Sequence, residues 1–215
     1  MKPEAEGVCI YAFTRIEGYA TEQYIQKAAD EYYKSGKSAL LRQKNISAGL
    51  FAVARTEQGK PYFPNCREIG ISVSHSGKYV ICALAEGNIG ADIQERKPLA
   101  NESDEVYIQR LCRIADRFFH PAEAEWVKAK PLTRFYEIFT AKECYVKYTG
   151  TGFDETLDQN SVLPKIGELP SCAGISRPVL WQSAIAEFWQ TEYDSDYVLC
   201  LCAKHVSDPC VVRIW

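Results

Sequence analysis

The chain reads as an α+β protein made of two halves of about a hundred residues each. Three observations carry that reading. Apolar strand-like runs gather at two places, within 8–94 and within 161–215, and a charged, helix-compatible stretch fills 101–148 between them. No linker rich in Gly, Ser or Pro divides the halves, so they are expected to pack as one body. The expected boundary gives halves 1–95 and 96–215.

In order, VCIYAF (8–13) has the continuous apolar character of a buried strand, and 21–35 that of a helix opened by Thr21 with Glu22 in its first turn. LFAVART (50–56) reads as a strand and EQGKPYFP (57–64) as a loop punctuated by glycine and two prolines. The runs 69–76, 78–86 and 89–94 are separated by Gly77 and by Gly87-Asn88, which predicts an antiparallel meander. Pro121 and Pro131 suit first helical positions, and Gly150 and Gly152 stop the helix that Pro131 starts. SVLPKI, VLWQSAIAEFW, YVLCLCA and VVRIW complete a second strand-rich stretch, with the tail expected in the second half's sheet.

Composition excludes several classes. Hydrophobic residues make up 47% and charged residues 25%, the balance of a soluble globular chain rather than a disordered or membrane-spanning one. The net charge of −3 supplies no global cationic field, which argues against nucleic acid as a partner. Charge is split: 21 Lys+Arg stand against 19 Asp+Glu in 1–150, and 4 against 9 in 151–215. An anionic ligand should therefore meet the first two thirds. The nine cysteines are odd in number, sit within apolar runs and form no CxxC pair, and MKPEAEGVCI lacks an apolar signal core. Reduced core thiols in a cytoplasmic protein are expected, and neither disulfides nor zinc.

Chemistry concentrates in four places. Glu143 and Lys147 are four residues apart, neighbours on one face of a helix, although such pairs are commonly exposed ion pairs of little energy. Asp92 in IGADIQ shares a strand face with Gly90 and Gln94, opposite Ala91 and Ile93. A carboxylate on so apolar a strand needs a partner, and a divalent cation shared with Glu143, or Lys147 itself, would serve. Ser74-His75-Ser76 ends a strand. A Ser74/His75/Asp92 hydrolase triad is excluded because adjacent strand residues point to opposite faces. Gly59-Lys60-Pro61 fixes a cation in a rigid turn, and neither glycine-rich phosphate loop motif is present.

Taken in order, GKPYFP, ISVSHSGKYVICAL, IGADIQ, RFFHPAE and FTAKECYVKYTGTGF resemble the 4′-phosphopantetheinyl transferase superfamily, of the surfactin-synthetase-activating type. The resemblance runs almost unbroken over 57–153. It implies two similar α/β halves related by a pseudo-twofold axis, with the site at their seam and a monomer as the working unit. It further implies transfer of the phosphopantetheine arm of coenzyme A to a serine of an acyl- or peptidyl-carrier protein, releasing 3′,5′-ADP, with Mg²⁺. By similarity Asp92 and Glu143 are magnesium ligands, with Gln94 contributing weakly or through water. Lys147 contacts the phosphate chain or the serine. Lys60, Ser74 and His75 bind the nucleotide end, Lys142, which matches the lysine of the K-E pair, is a further coenzyme-binding residue, and Glu123 matches the acid of the RFF…E segment. The serine proton is left to Glu143 or to a metal-bound hydroxide.

Three departures from the family pattern stand out. Gln94 replaces a second acid, Phe139 replaces a tryptophan, and the region before GKP is short. Within that region Lys37, Ser38 and Arg42 are the candidates for a 3′-phosphate pocket. Gln94 and the short region before GKP admit an alternative, a homologue that binds coenzyme A or a carrier without catalysis. Arg110, Arg113 and Arg117 fall on one helical face, the expected docking stripe for an acidic carrier.

Overall fold

Cys9–Thr14 forms strand β1, and all but its last residue are buried. Both of its faces are covered: Cys9, Tyr11 and Phe13 join one core and Ile10 and Ala12 another. That two-sided burial explains the continuous apolar run and fixes the layering of the molecule. The computed structural model describes residues 7–43, 50–152, 159–165, 169–174, 177–206 and 209–214.

Helix α1 (Thr21–Lys34) covers the first core through Tyr24, Ile25, Ala28, Ala29 and Tyr32, with Ala20 rather than Thr21 at the N-cap. A short α2 (Ala39–Gln43) follows. Strands β2 (Ala54–Arg55) and β3 (Pro61–Tyr62) form a small hairpin around Gly59, which adopts a φ of 84°. This is less strand than LFAVART predicts, since Pro61 has no N–H to extend a ladder. Strands β4 (Ile69–Ser76) and β5 (Tyr79–Glu86) form the expected antiparallel hairpin, with Ile69 opposite Glu86 and Ser76 opposite Tyr79. The first sheet has the order β10-β1-β5-β4.

Strand β6 (Gly90–Glu95) leaves that meander and joins the second sheet. Helices α3 (Asp104–Phe118), α4 (Pro121–Lys128) and α5 (Pro131–Thr149) follow, then β7 (Val179–Gln182), β8 (Glu187–Glu192) and β9 (Tyr197–Ala203), giving a sheet β6-β9-β8-β7. Among its described residues SVLPKI contributes a single bridge, Pro164 to Ser183. The last strand, β10 (Cys210–Ile214), returns to run parallel beside β1, so the tail completes the first sheet and not the second. The chain thus changes sheets between Glu86 and Gly90, not at 95/96. In each lobe the first strand pairs with the far strand of a later antiparallel hairpin: β1 with β5 of β4-β5, β6 with β9 of β8-β9.

The two sheets face each other over a shared core of Ile10, Ile81, Ile93, Trp189, Leu199 and neighbours. Helix α1 covers the outside of one sheet and α3–α5 the outside of the other. No helix among the described residues is long and apolar enough to cross a membrane. All nine cysteines are free, and seven are buried.

At one margin the sheets are joined by side chains. The N–H groups of Ala91, Ile93 and Glu95 point away from β9, as alternate residues of an antiparallel strand must. Ser72, Ser74 and Ser76 of β4 accept them at 2.9, 3.4 and 2.9 Å. Serine at every second position therefore stands in for a ladder between β4 and β6. Ser72 is 2% exposed, so Ser72→Ala leaves the Ala91 N–H buried without an acceptor, at a cost of about 1–3 kcal/mol. Thermal melts should show a fall of ~2–4 °C per kcal/mol for a chain of this size, with an unchanged melting temperature speaking against the seam.

Candidate active site

Helix α5 begins with Pro131 at its first turn and ends at Gly150, whose φ of 72° supplies the left-handed cap. Ala141 and Cys144 anchor its buried face, the Cys144 thiol donating to the Cys200 carbonyl at 2.9 Å. Gly90 permits the helix to lie directly on β6. A Cβ there would stand 2.0 Å from the Cys144 carbonyl oxygen and 2.7 Å from the Tyr148 nitrogen. This approach brings Glu143 and Lys147 over Asp92.

Asp92 is 1% exposed. Its Oδ1 accepts from Lys147 Nζ at 2.5 Å and from Ser74 Oγ at 2.6 Å, and its Oδ2 from the Gln94 amide at 3.0 Å. Glu143 makes no hydrogen bond among the described residues. Burial, and next the Asp92 charge, push its carboxyl up to about 7 against the opposing pull of Lys147. Burial disfavours the Lys147 ammonium, but the Asp92 carboxylate more than offsets this and holds the group above its ordinary value.

Beside these groups lies a cleft of about 400 Å³. Lys147, Glu143, His75, Lys60, Arg55 and Thr21 are among its lining residues. His75 is exposed and turned to the cleft, while Ser74, one residue earlier, is turned to Asp92. Ser74 is therefore placed to position Asp92 rather than to meet a nucleotide. Lys60 borders the cleft, but its ammonium donates to the Tyr148 carbonyl at 2.8 Å and to Asn88 at 2.6 Å. Burial lowers it to about 8, and its partner is a terminal carbonyl of α5, the end of a helix that favours a cation.

Two expectations are corrected by position. Lys142 faces away from the cleft into a buried ion pair with Glu123 at 2.9 Å, the exposures being 4% and 0%. Glu123 also accepts from the Val162 and His120 N–H groups at 2.7 and 2.9 Å, tying α4, α5 and the segment at Val162 together. Lys37, Ser38 and Arg42 lie beyond the far end of α1. Thr21 at the start of that helix lines the cleft, and thirteen helical rises carry the chain ~20 Å away. Ser38 there caps α2 and donates to Glu86 at 2.6 Å, and Arg42 donates to the Gly36 carbonyl. Arg55, by contrast, was not anticipated, because nothing in LFAVART distinguishes a cleft cation from a surface one.

Residues 88–202 match the family model of the 4′-phosphopantetheinyl transferase superfamily. The chain belongs to that superfamily. It is 30% identical over 178 residues to the 4′-phosphopantetheinyl transferase Sfp of Bacillus subtilis strain 168, covering 80% of this chain and 72% of that one. A second Bacillus subtilis 4′-phosphopantetheinyl transferase is 31% identical over 153 residues, covering 69% and 61% of the two chains. The 4′-phosphopantetheinyl transferase AcpT of Salmonella typhi is 31% identical over 121 residues, covering 54% and 58%. Asp92, Gln94, Glu143 and Lys147 all fall within the stretch that matches the superfamily.

For a member of this superfamily the donor chemistry at Asp92 is informative. No group of three or more His, Cys, Asp or Glu able to hold a metal occurs among the described residues. Glu143 lines the cleft and Asp92 lies buried behind it with both oxygens bonded, and the like charge between the two carboxyls is what a hard divalent cation would relieve. The Gln94 carboxamide, rotated, adds a neutral oxygen. The residues fit such an ion, provided Lys147 yields part of its hold on Asp92.

The Glu143 shift has a testable sign. Below the unfolded carboxyl's value both states are protonated. As pH rises toward 7 the unfolded chain ionises first, so the folded state loses stability over that window and levels off above it. Glu143→Gln should flatten the decline in melting temperature between about pH 4.5 and 7, measured without divalent ions. An unaltered slope would show that Glu143 is solvated in the folded protein.

Proposed function

We propose that this chain transfers the 4′-phosphopantetheine arm of coenzyme A to a serine of an acyl- or peptidyl-carrier protein, releasing 3′,5′-ADP, with Mg²⁺. The observation that carries the reading is the meeting of buried Asp92 from β6 with Glu143 and Lys147 from α5, the latter two lining one cleft. In the transfer the serine oxygen bonds to the phosphorus bearing pantetheine, the bond from that phosphorus to the bridging oxygen breaks, and 3′,5′-ADP leaves with the pair of electrons.

The protein's part in such a displacement is positioning and charge. With no cation beside it Glu143 is held near 7, the range of a group able to take the serine proton at neutral pH, and a magnesium ion on its carboxylate would lower that value. Lys147 carries a full positive charge beside the reacting phosphates, and Asp92 holds it in line. Magnesium bound by Asp92 and Glu143, with Gln94 and water, would neutralise the pyrophosphate. His75 and the Lys60 turn line the cleft, and the nucleotide is proposed to lie against them. The nine free cysteines favour a reducing, cytoplasmic setting.

Carrier docking is assigned to α3. Arg110 is engaged by Glu102 at 2.8 and 2.9 Å, whereas Arg113 and Arg117 are exposed on the same face. The docking charge thus rests on two of the three expected arginines.

Three experiments follow. Mass spectrometry of apo-carriers incubated with the protein, coenzyme A and magnesium should show the gain of one phosphopantetheine. Asp92→Ala and Glu143→Gln should each lower the rate by ~100-fold or more with circular dichroism unchanged, whereas coenzyme A bound without transfer would refute the reading. Reversing Arg113 and Arg117 to glutamate should raise the carrier KM several-fold while leaving the coenzyme A KM alone, and equal carrier kinetics would remove α3 as the dock.

A further inference from the structure

Strand β10 stands at the edge of the first sheet with β1 as its neighbour, and two free thiols meet where these strands begin. In the parallel register Cys9 lies opposite Cys210, Tyr11 opposite Val212 and Phe13 opposite Ile214. All six side chains pack on the core that α1 covers, so the two sulfurs share one face of the sheet. Adjacent strands run about 4.8 Å apart, within the span of about 4.4–6.8 Å between Cα atoms that a disulfide bridges. The two sulfurs lie within hydrogen-bonding reach of each other.

The pair presents unlike members to solution. Cys9 is 0% exposed, and burial pushes its thiol up against the pull of the Tyr11 hydroxyl. Cys210 is half-buried on the edge strand. The Lys37 ammonium reaches the Cys210 sulfur, a contact that holds the lysine above its ordinary value. A cation beside an accessible sulfur is the setting in which cysteines react with oxidants. Cys112, the other half-buried thiol, sits on α3, where burial and then the Asp116 carboxylate push it up. The seven remaining thiols, Cys9 among them, are buried.

The geometry points to Cys9 and Cys210 as a reversible oxidation site, a dithiol that a peroxide converts into a cross-strand disulfide fastening β10 to β1. The Cys210 thiolate attacks one peroxide oxygen, the O–O bond breaks and hydroxide leaves, giving a sulfenic acid. The Cys9 sulfur then bonds to the Cys210 sulfur, the S–O bond breaks, and the hydroxyl departs with the Cys9 proton as water. The two thiols give up two electrons, which the peroxide takes, and a thiol reductant reverses the change by exchange. Strand β4, which carries Ser74 and His75, lies at the opposite edge of the sheet, three strand spacings or ~14 Å away. The bridge therefore clips the tail strand without entering the cleft. It follows from the strand pairing and does not depend on the transferase reading.

The test uses the reduced full-length protein, exposed briefly to hydrogen peroxide, blocked with N-ethylmaleimide and followed by intact mass and peptide mapping. The product should be lighter than the reduced chain by two hydrogens, yield a Cys9–Cys210 linked peptide, and revert with dithiothreitol. Cys210→Ser should abolish the linked peptide, Cys112→Ser should leave it, and Lys37→Ala should slow its formation several-fold. Amide hydrogen exchange in β10 should slow several-fold once the bridge is made, because an edge strand frays locally. Absence of the linked peptide from native protein, or its appearance only after denaturation, would overturn the site. Unchanged exchange in bridged protein would overturn the clip, and an unchanged rate in Lys37→Ala would remove the lysine from it. Should Cys210→Ser melt early, Cys210→Ala decides by the same peptide map.

Discussion

The Asp92 carboxylate is the constraint on which lobes and site alike depend. A charge at 1% exposure is tolerable only when fully paired. Its partners come from three directions: Ser74 from the first sheet, Lys147 from the helix covering the second, and Gln94 from its own strand. Withdrawing any one leaves a buried charge short of a donor, so the pairing that makes the site also resists separation of the lobes. The serine margin between β4 and β6 extends this from one carboxylate to a row of backbone groups.

Glycine at position 90 and the carboxylate at 92 act as a unit. Because Gly90 has no Cβ, the α5 backbone comes down onto β6, and the Glu143–Lys147 face has nowhere to go but over Asp92. Two carboxylates and an ammonium are then forced together with unlike outcomes. Asp92 takes the donors, and Glu143 is left with burial and a like charge, which is why its carboxyl moves up toward neutrality. The same packing thus yields one firmly held anion and one group poised to exchange a proton.

Much of this was legible in the sequence because it is local. The period-two pattern in IGADIQ assigns Ala91 and Ile93 to one face and Asp92 to the other, and the structure keeps that division, with the first pair in the inter-sheet core. The i, i+4 spacing of Glu143 and Lys147 and the proline and glycine bounding α5 survive equally well. What was hidden is non-local. VVRIW has strand character whichever sheet it joins, and only the open edge of β1, buried on both faces, draws it back across the molecule. β6 likewise has two candidate neighbours, and hairpin proximity favoured the wrong one. Lys142 and Glu143 are adjacent in a motif, yet one residue is 100° of helical turn, enough to send one into a core ion pair and the other to the cleft.

The Lys142–Glu123 pair shows why a motif residue need not touch a ligand to matter to the site. Its two charges are almost wholly withdrawn from water, and Glu123 also closes the N-terminus of α4 and holds the Val162 N–H. Loss of either partner leaves an uncompensated buried charge, which costs about 3–5 kcal/mol, far more than an exposed ion pair of the same sequence spacing. The ammonium lies one residue from Glu143 on the same helix, so the pair fixes the rotation of α5 about its axis. That rotation decides whether Glu143 and Lys147 face Asp92 or miss it, and a core ion pair on the hidden side of α5 thereby holds the reactive side in register.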